Sequence, residues 1–134
     1  MLKFWIFWST WLTKIQELIK VFKLIYIVKE DFLIFQKMYD FIVFAFPMIT
    51  GMPKNHRFVL GQQIESQMLE ILDLLTEVNK LDIKDRGKYF VKFSGLFDSM
   101  RVKIRLSKDL VLITVKQYLN LMEKHNEIIA LIYG

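Results

Sequence analysis

The sequence predicts an all-α protein, an antiparallel four-helix bundle preceded by an additional N-terminal amphipathic helix, and three observations lead there. In residues 53–80, Leu60, Ile64, Met68, Ile71, Leu75 and Val78 recur at three- and four-residue steps, while Gln62, Glu65, Glu70, Asp73 and Glu77 mostly face elsewhere, as on one bundle helix. Comparable stripes recur on both sides of it, separated by short connections at residues 50–53, 80–84 and before Thr114. The composition, 54% hydrophobic and 25% charged over 134 residues, is that of one folded domain rather than a disordered chain. The apolar and aromatic excess needs an outlet, which points to a homo-oligomer, a partner or a membrane.

Residues 1–30 place Trp5, Trp8, Leu12, Ile15, Ile19, Phe22 and Tyr26 at heptad spacing and contain all 3 tryptophans. Lys14, Glu17, Lys20 and Lys23 interrupt the run before the roughly 20 apolar residues that a spanning helix needs. No small-residue cleavage site marks a signal peptide. What remains is an amphipathic helix that packs on its bundle or a partner, lies on a membrane surface, or is an upstream extension of the reading frame. The bundle proper is then residues 31–134. Its first helix takes Asp31 as N-cap, buries Phe35, Met38, Tyr39, Ile42, Phe46 and Ile49, and bends at Pro47. Asn55, after Pro53, caps the second helix, which gives out near Asn79. The third helix spans about 85–112, with Phe93, Leu96, Phe97, Met100 and Ile104 inward and Gly95 admitting a close neighbour. Thr114 caps the last helix, whose stripe is Tyr118, Met122, His125, Ile129 and Ile132.

Catalytic chemistry finds little support. His56 stands in a turn and His125 on an apolar stripe, neither follows a glutamate at the Glu-x-x-His spacing of di-metal bundles, and Glu65, Asp73 and Glu77 form a solvated face. No phosphate loop or nucleophile elbow is present, so neither an enzyme nor a cofactor or metal is expected. There is no cysteine, which excludes disulfides and thiolate sites and fits a cytoplasmic location.

The net charge is +5, and its distribution is uneven. Residues 81–113 carry eight basic against four acidic groups, the densest basic segment of the chain. On the third helix Lys84, Lys88, Lys92 and Lys103 form one stripe, and Arg101, Arg105 and Lys108 a second, on the other flank of the buried face. Either stripe suits a phosphate backbone, giving salt-sensitive affinity with little sequence readout; a solvated face that keeps an apolar protein soluble is the plainer alternative.

Several short motifs carry a resemblance. Phe46-Pro47, a gap, then Pro53-Lys54-x-x-Arg57-Phe58-x-Leu60-Gly61-Gln62-x-Ile64-Glu65 and an acidic, leucine-rich helix resembles the Avd family, the accessory variability determinants of diversity-generating retroelements. Gln36-Lys37-x-Tyr39-Asp40, Arg105-Leu106-x-Lys108-Asp109-Leu110 and the stretch from Glu127 to Gly134 are similar to further family elements. The resemblance covers about residues 34–134; a sister family encoded in ribosomal RNA intervening sequences shares the Arg-Phe-x-Leu-Gly-Gln element. It implies a non-catalytic bundle, assembled as a homo-oligomer with a pentamer as the preferred ring. Its partners would be the retroelement's reverse transcriptase and template RNA or an RNA/DNA hybrid, in support of mutagenic complementary-DNA synthesis. It brings forward Arg101, Arg105 and Lys108; with the remaining basic surface, Lys84, Arg86, Lys88, Lys92, Lys103, Lys54 and Arg57, these are the expected nucleic-acid and partner contacts. The other reading is a membrane-surface or structural protein acting through residues 1–30.

Overall fold

Residues 2–50 contain no glycine, and their one proline, Pro47, comes in the last turn; they form a single helix, α1 (Leu2–Thr50). The computed structural model describes residues 2–133. The expected cap at Asp31 does not form, because that residue lies in mid-helix with no breaker near it. Stopping there would leave terminal N–H groups unpaired, whereas continuing adds a hydrogen bond per residue. By its contacts the chain divides into two compact units, Met1–Leu33 and Ile34–Gly134.

In the unit Ile34–Gly134, α1 buries Met38, Phe41, Ala45, Met48 and Ile49. Of the residues expected inward, Tyr39 is 51% exposed and Phe35, Ile42 and Phe46 are only half-buried. The seam is turned by about one residue, a rotation that a nearly all-apolar stretch does not reveal.

The chain then turns at Gly51 and Met52 into a one-turn helix α2 (Lys54–His56), a π-helical turn (Arg57–Gly61) and α3 (Gln62–Val78). Pro53, not Asn55, starts it: the backbone is extended at Pro53 (φ −53°, ψ 139°), and its carbonyl accepts from His56 and Arg57 N–H at 3.0 and 2.9 Å. The π turn ends on Gly61, which is buried against α1; a Cβ there would stand 2.7 Å from Ile49 Cγ2. This is the close approach of helices expected at Gly95, which instead faces open space. α3 buries Ile64, Met68, Ile71, Leu74, Leu75 and Val78, close to the stripe read from its spacing.

The third helix is not one helix from 85 to 112. A short α4 (Ile83–Arg86) and a 3₁₀ turn (Gly87–Tyr89) precede α5 (Phe90–Asp109), which buries Phe93, Phe97, Met100, Ile104 and Ser107. α5 stops early because Val111 is left-handed, φ 59°. Its N–H donates to Lys108 O at 2.9 Å and Leu112 N–H to Ser107 O at 2.8 Å, the paired bonds of a Schellman cap. A β-branched residue is strained in this conformation, and Val111 is 84% exposed, so its side chain returns little packing. Val111→Gly is expected to stabilise the bundle by about 1 kcal/mol. Thermal melts check it: a Tm that is unchanged or lower removes the strain.

α6 (Val115–Tyr133) begins with a reciprocal capping box, Gln117 N–H donating to Thr114 Oγ1 at 3.1 Å and Thr114 N–H to Gln117 Oε1 at 2.9 Å. It buries Leu121, His125 and Ile128, so its seam too is offset from the expected one, with His125 shared.

Cross-helix pairs establish the topology. Between α3 and α5, Gln67 meets Ser99 at 2.8 Å and Glu77 meets Tyr89, just before α5, at 3.4 Å, so numbering rises along one helix as it falls along the other. Between α5 and α6, Phe97 lies against His125 and Lys108 over Tyr118. Between α1 and α6, Lys37 pairs with Glu127 at 3.1 Å and Phe44 lies under Lys124. Each neighbour pair is antiparallel, and the ring closes α1–α3–α5–α6, a four-helix up-and-down bundle. The helices converge around Ala45, Ile49, Ile64, Ile104 and Leu121 on a void of about 10 Å³, room for about one water.

In the unit Met1–Leu33, the α1 residues are helical throughout, and their large apolar side chains are mostly exposed. α1 does hold an 18-residue stretch apolar enough to cross a membrane, with mean hydropathy 1.5 and 28% buried. That stretch is 32–49, where Lys37 and Asp40 are the charges, and there the helix supplies Met38, Phe41, Ala45 and Met48 to the bundle core.

Candidate nucleic-acid and partner interface

α5 presents three kinds of side chain. Phe93, Phe97, Met100 and Ile104 point into the core, and the two flanks carry the basic residues. Arg101, Arg105 and Lys108 lie on the flank beside α6. Lys108 Nζ sits 4.5 Å from the Tyr118 ring centre and 3.3 Å from Asp109 Oδ1, which draws its stem onto the bundle. Arg105 Nε is 3.9 Å from Asp109 Oδ2, and its side chain is 70% exposed. An exposed pair at that distance contributes well under 1 kcal/mol, so the guanidinium is available to a stronger anion. Arg101 is exposed and makes no ion pair among the described residues.

The other stripe does not survive as one line. Lys84 and Arg86 are on α4 and Lys88 on the 3₁₀ turn, ahead of α5, whereas Lys92 and Lys103 are on α5 itself on the flank facing α3. The break at Gly87 changes the helical phase between them. Arg86 Nε donates to Leu81 O at 3.1 Å, which fastens the α3–α4 connection, and Lys88 lies 5.4 Å from the Tyr89 ring. Lys103 is half-buried beside a shallow groove with Phe58, Val59, Gln62 and Gln63. Lys54 and Arg57 stand at the α1–α3 turn, where Arg57 Nη1 donates to Thr50 O at 3.2 Å and its guanidinium stacks 5.5 Å from Phe58. The ten basic residues therefore fall into separate groups: Arg101, Arg105 and Lys108 beside α6; Lys103 in the α3 groove; Lys54 and Arg57 at the α1–α3 turn; Lys84, Arg86, Lys88 and Lys92 toward the opposite end.

Reasoning from sequence missed the apolar surface between these groups. Val91 and Val102 on the outer face of α5 are 83% and 61% exposed, and Phe58 and Val59 on the π turn 59% and 62%. The signal was present in the sequence: on the wheel that puts Phe93, Phe97, Met100 and Ile104 inward, Val91 and Val102 fall on the opposite face.

His125, on α6, packs into the core against α5. The residue is 3% exposed, its ring is edge-on to Phe97 at 5.6 Å, and among the described residues neither nitrogen has a hydrogen-bond partner. Burial pushes its pKa below the ordinary 6.5; Asn126, the Phe97 backbone and Asp98 favour the proton but do not offset the lost hydration, and Arg101 opposes it as well. The folded state thus holds His125 neutral, so its contribution to stability is complete above about pH 6.5 and declines as pH falls below that, where the unfolded chain binds a proton the folded chain refuses. His125→Leu is expected to flatten the dependence of Tm on pH between about 7 and 5. Parallel slopes for the two proteins would show that His125 is hydrated or paired.

No curated protein and no solved structure matches the chain. The family model described as bAvd-like does match, over residues 32–134, which takes in the whole bundle and all ten basic residues. The chain belongs to the bAvd-like family.

Proposed function

We propose that this chain is a non-catalytic accessory subunit of a diversity-generating retroelement, which holds the element's reverse transcriptase and template RNA, or an RNA/DNA hybrid, for mutagenic complementary-DNA synthesis in the cytoplasm. Family membership supports the accessory role, and the observation that carries the binding reading is the α5 flank beside α6. There Arg101 and Arg105, one helical turn apart, are exposed and at most weakly paired. Two such guanidinium groups span neighbouring phosphates and supply affinity without sequence readout. The exposed Val91, Val102, Phe58 and Val59 supply the apolar component of a protein contact and support assembly into a homo-oligomer, a pentameric ring by preference.

Replacing Arg101 and Arg105 together with glutamine should leave the helical signal and the assembly intact and weaken RNA binding at moderate salt. Each lost phosphate contact should reduce the slope of log affinity against log salt by roughly one unit. Filter binding across a salt series decides it: unchanged affinity and slope reject this flank as a nucleic-acid surface. Light scattering on the same samples tests the ring, which a mass of 16.1 kDa at micromolar concentration would eliminate.

A further inference from the structure

We infer that the α1 residues of the unit Met1–Leu33 form an interfacial anchor that seats on an anionic lipid bilayer, lying in its surface. The unit exposes Phe4, Trp8, Trp11, Leu18, Phe22 and Ile25 at alternating four- and three-residue steps, and half-exposes Ile15 between them. Phe4 and Trp8 rings stand 6.2 Å apart and Trp8 and Trp11 5.5 Å, edge to face, so the stripe begins as a contiguous aromatic surface.

The width of that surface selects the occupant. A two-stranded coiled coil needs a narrow seam with charged positions beside it. Here Leu12, Ile19 and Tyr26 border the stripe on one side and Phe7, Val21 and Val28 on the other, all of them exposed. A single partner helix would leave both borders in water, whereas a planar apolar phase covers them together. Charge points the same way. Lys3, Lys14, Lys20, Lys23 and Lys29 meet one acid, Glu17, before Glu30, and Lys20 and Lys23 lie away from the stripe, placed to reach anionic headgroups.

The three hydroxyls in the uncharged run do not oppose entry. The hydroxyls of Ser9 and Thr10 donate to Ile6 O at 2.9 and 2.8 Å, and that of Thr13 to Ser9 O at 2.8 Å, so each donor is already paired inside the helix. Trp5, Trp8 and Trp11 combine an apolar body with an indole N–H that suits the headgroup boundary. The uncharged run is residues 4–13, about 15 Å of helix, half the roughly 30 Å of a bilayer core, which fits lying in the interface rather than crossing.

The chain's 3 tryptophans are all in this unit, so their emission reports on it alone. The full-length protein is titrated with phosphatidylcholine vesicles with and without phosphatidylglycerol. The expected result is a blue shift, quenching by brominated acyl chains, and tighter partition to the anionic vesicles that weakens with salt. Trp8→Asp with Leu18→Asp, with helicity checked by circular dichroism, should lower partition on the order of a hundredfold. Lys20→Glu with Lys23→Glu should abolish the preference for anionic vesicles while keeping the blue shift. Absence of any vesicle response overturns the inference, as does equal partition of the double-aspartate variant. Emission that is already blue-shifted in buffer, depends on protein concentration and ignores vesicles also overturns it, and assigns the stripe to a second copy of the chain. None of these readouts depends on nucleic-acid or reverse-transcriptase binding, so the accessory role stands or falls separately.

Discussion

Phe97→Ala is expected to cost the bundle about 3–5 kcal/mol, the range for truncating a buried phenylalanine, and to lower Tm by roughly 4–8 °C for each of those. Phe97 is 0% exposed at the centre of α5, stacked on Phe93 at 6.4 Å and meeting His125 edge-on at 5.6 Å. Those neighbours are fixed by helices on both sides, so the site collapses only in part and a void remains. The void opens next to the two His125 ring nitrogens, which have no hydrogen-bond partner among the described residues. Water admitted there would hydrate His125, relieve the burial that lowers its pKa and flatten the pH dependence of stability along with the loss of Tm. Phe97→Leu should cost far less and leave the pH dependence in place. A drop in Tm of under about 5 °C for the alanine variant would show that the α5–α6 contact is not packed as described.

The second large effect is expected at Gly61, where alanine should destabilise by about 1–3 kcal/mol, the usual cost of forcing a methyl group into a filled core. The added Cβ would meet Ile49 Cγ2 at 2.7 Å, and Ile49 is itself only 3% exposed, so the branch has little room to withdraw. Either the π turn or α1 must shift. Ile49→Leu removes the β-branch at the point of collision and should recover part of the loss in the double variant, an interaction energy that a cycle of melts measures. Additive losses would place the cause elsewhere, in the backbone freedom of glycine at the turn. Gly95→Ala is the matched control, because among the described residues no group beyond its own helical turn lies within 4 Å of a Cβ there.

How much of this was legible beforehand depends on what each residue had to choose between. Helix α3 was readable because its apolar residues alternate with charged ones, so that one rotation alone removes the apolar set from water. Thr114 was readable as a cap because a threonine three residues ahead of a glutamine, just before an apolar run, pairs with local backbone. The seam of α1 was not, since every residue from Phe41 to Phe46 is apolar and any rotation satisfies the pattern; contacts with α3 and α6 chose Phe41 and Ala45. Nor was the continuity of α1 past Asp31, where a possible cap lost to uninterrupted backbone hydrogen bonding.

The basic surface divides in the same manner. That basic residues concentrate in segment 81–113 follows from composition alone. That Lys84, Arg86 and Lys88 leave the line of Lys92 and Lys103 follows from the 3₁₀ turn at Gly87, and that Lys108 leans on Tyr118 from how α5 and α6 pack. The sequence by itself determined an all-α bundle with a basic third helix and an apolar leading segment, because periodicity and charge act over a few residues. Which faces meet, that Gly61 rather than Gly95 is the contact glycine, and that His125 is buried unpaired were decided by the tertiary structure, because they depend on groups distant in sequence competing for the same space.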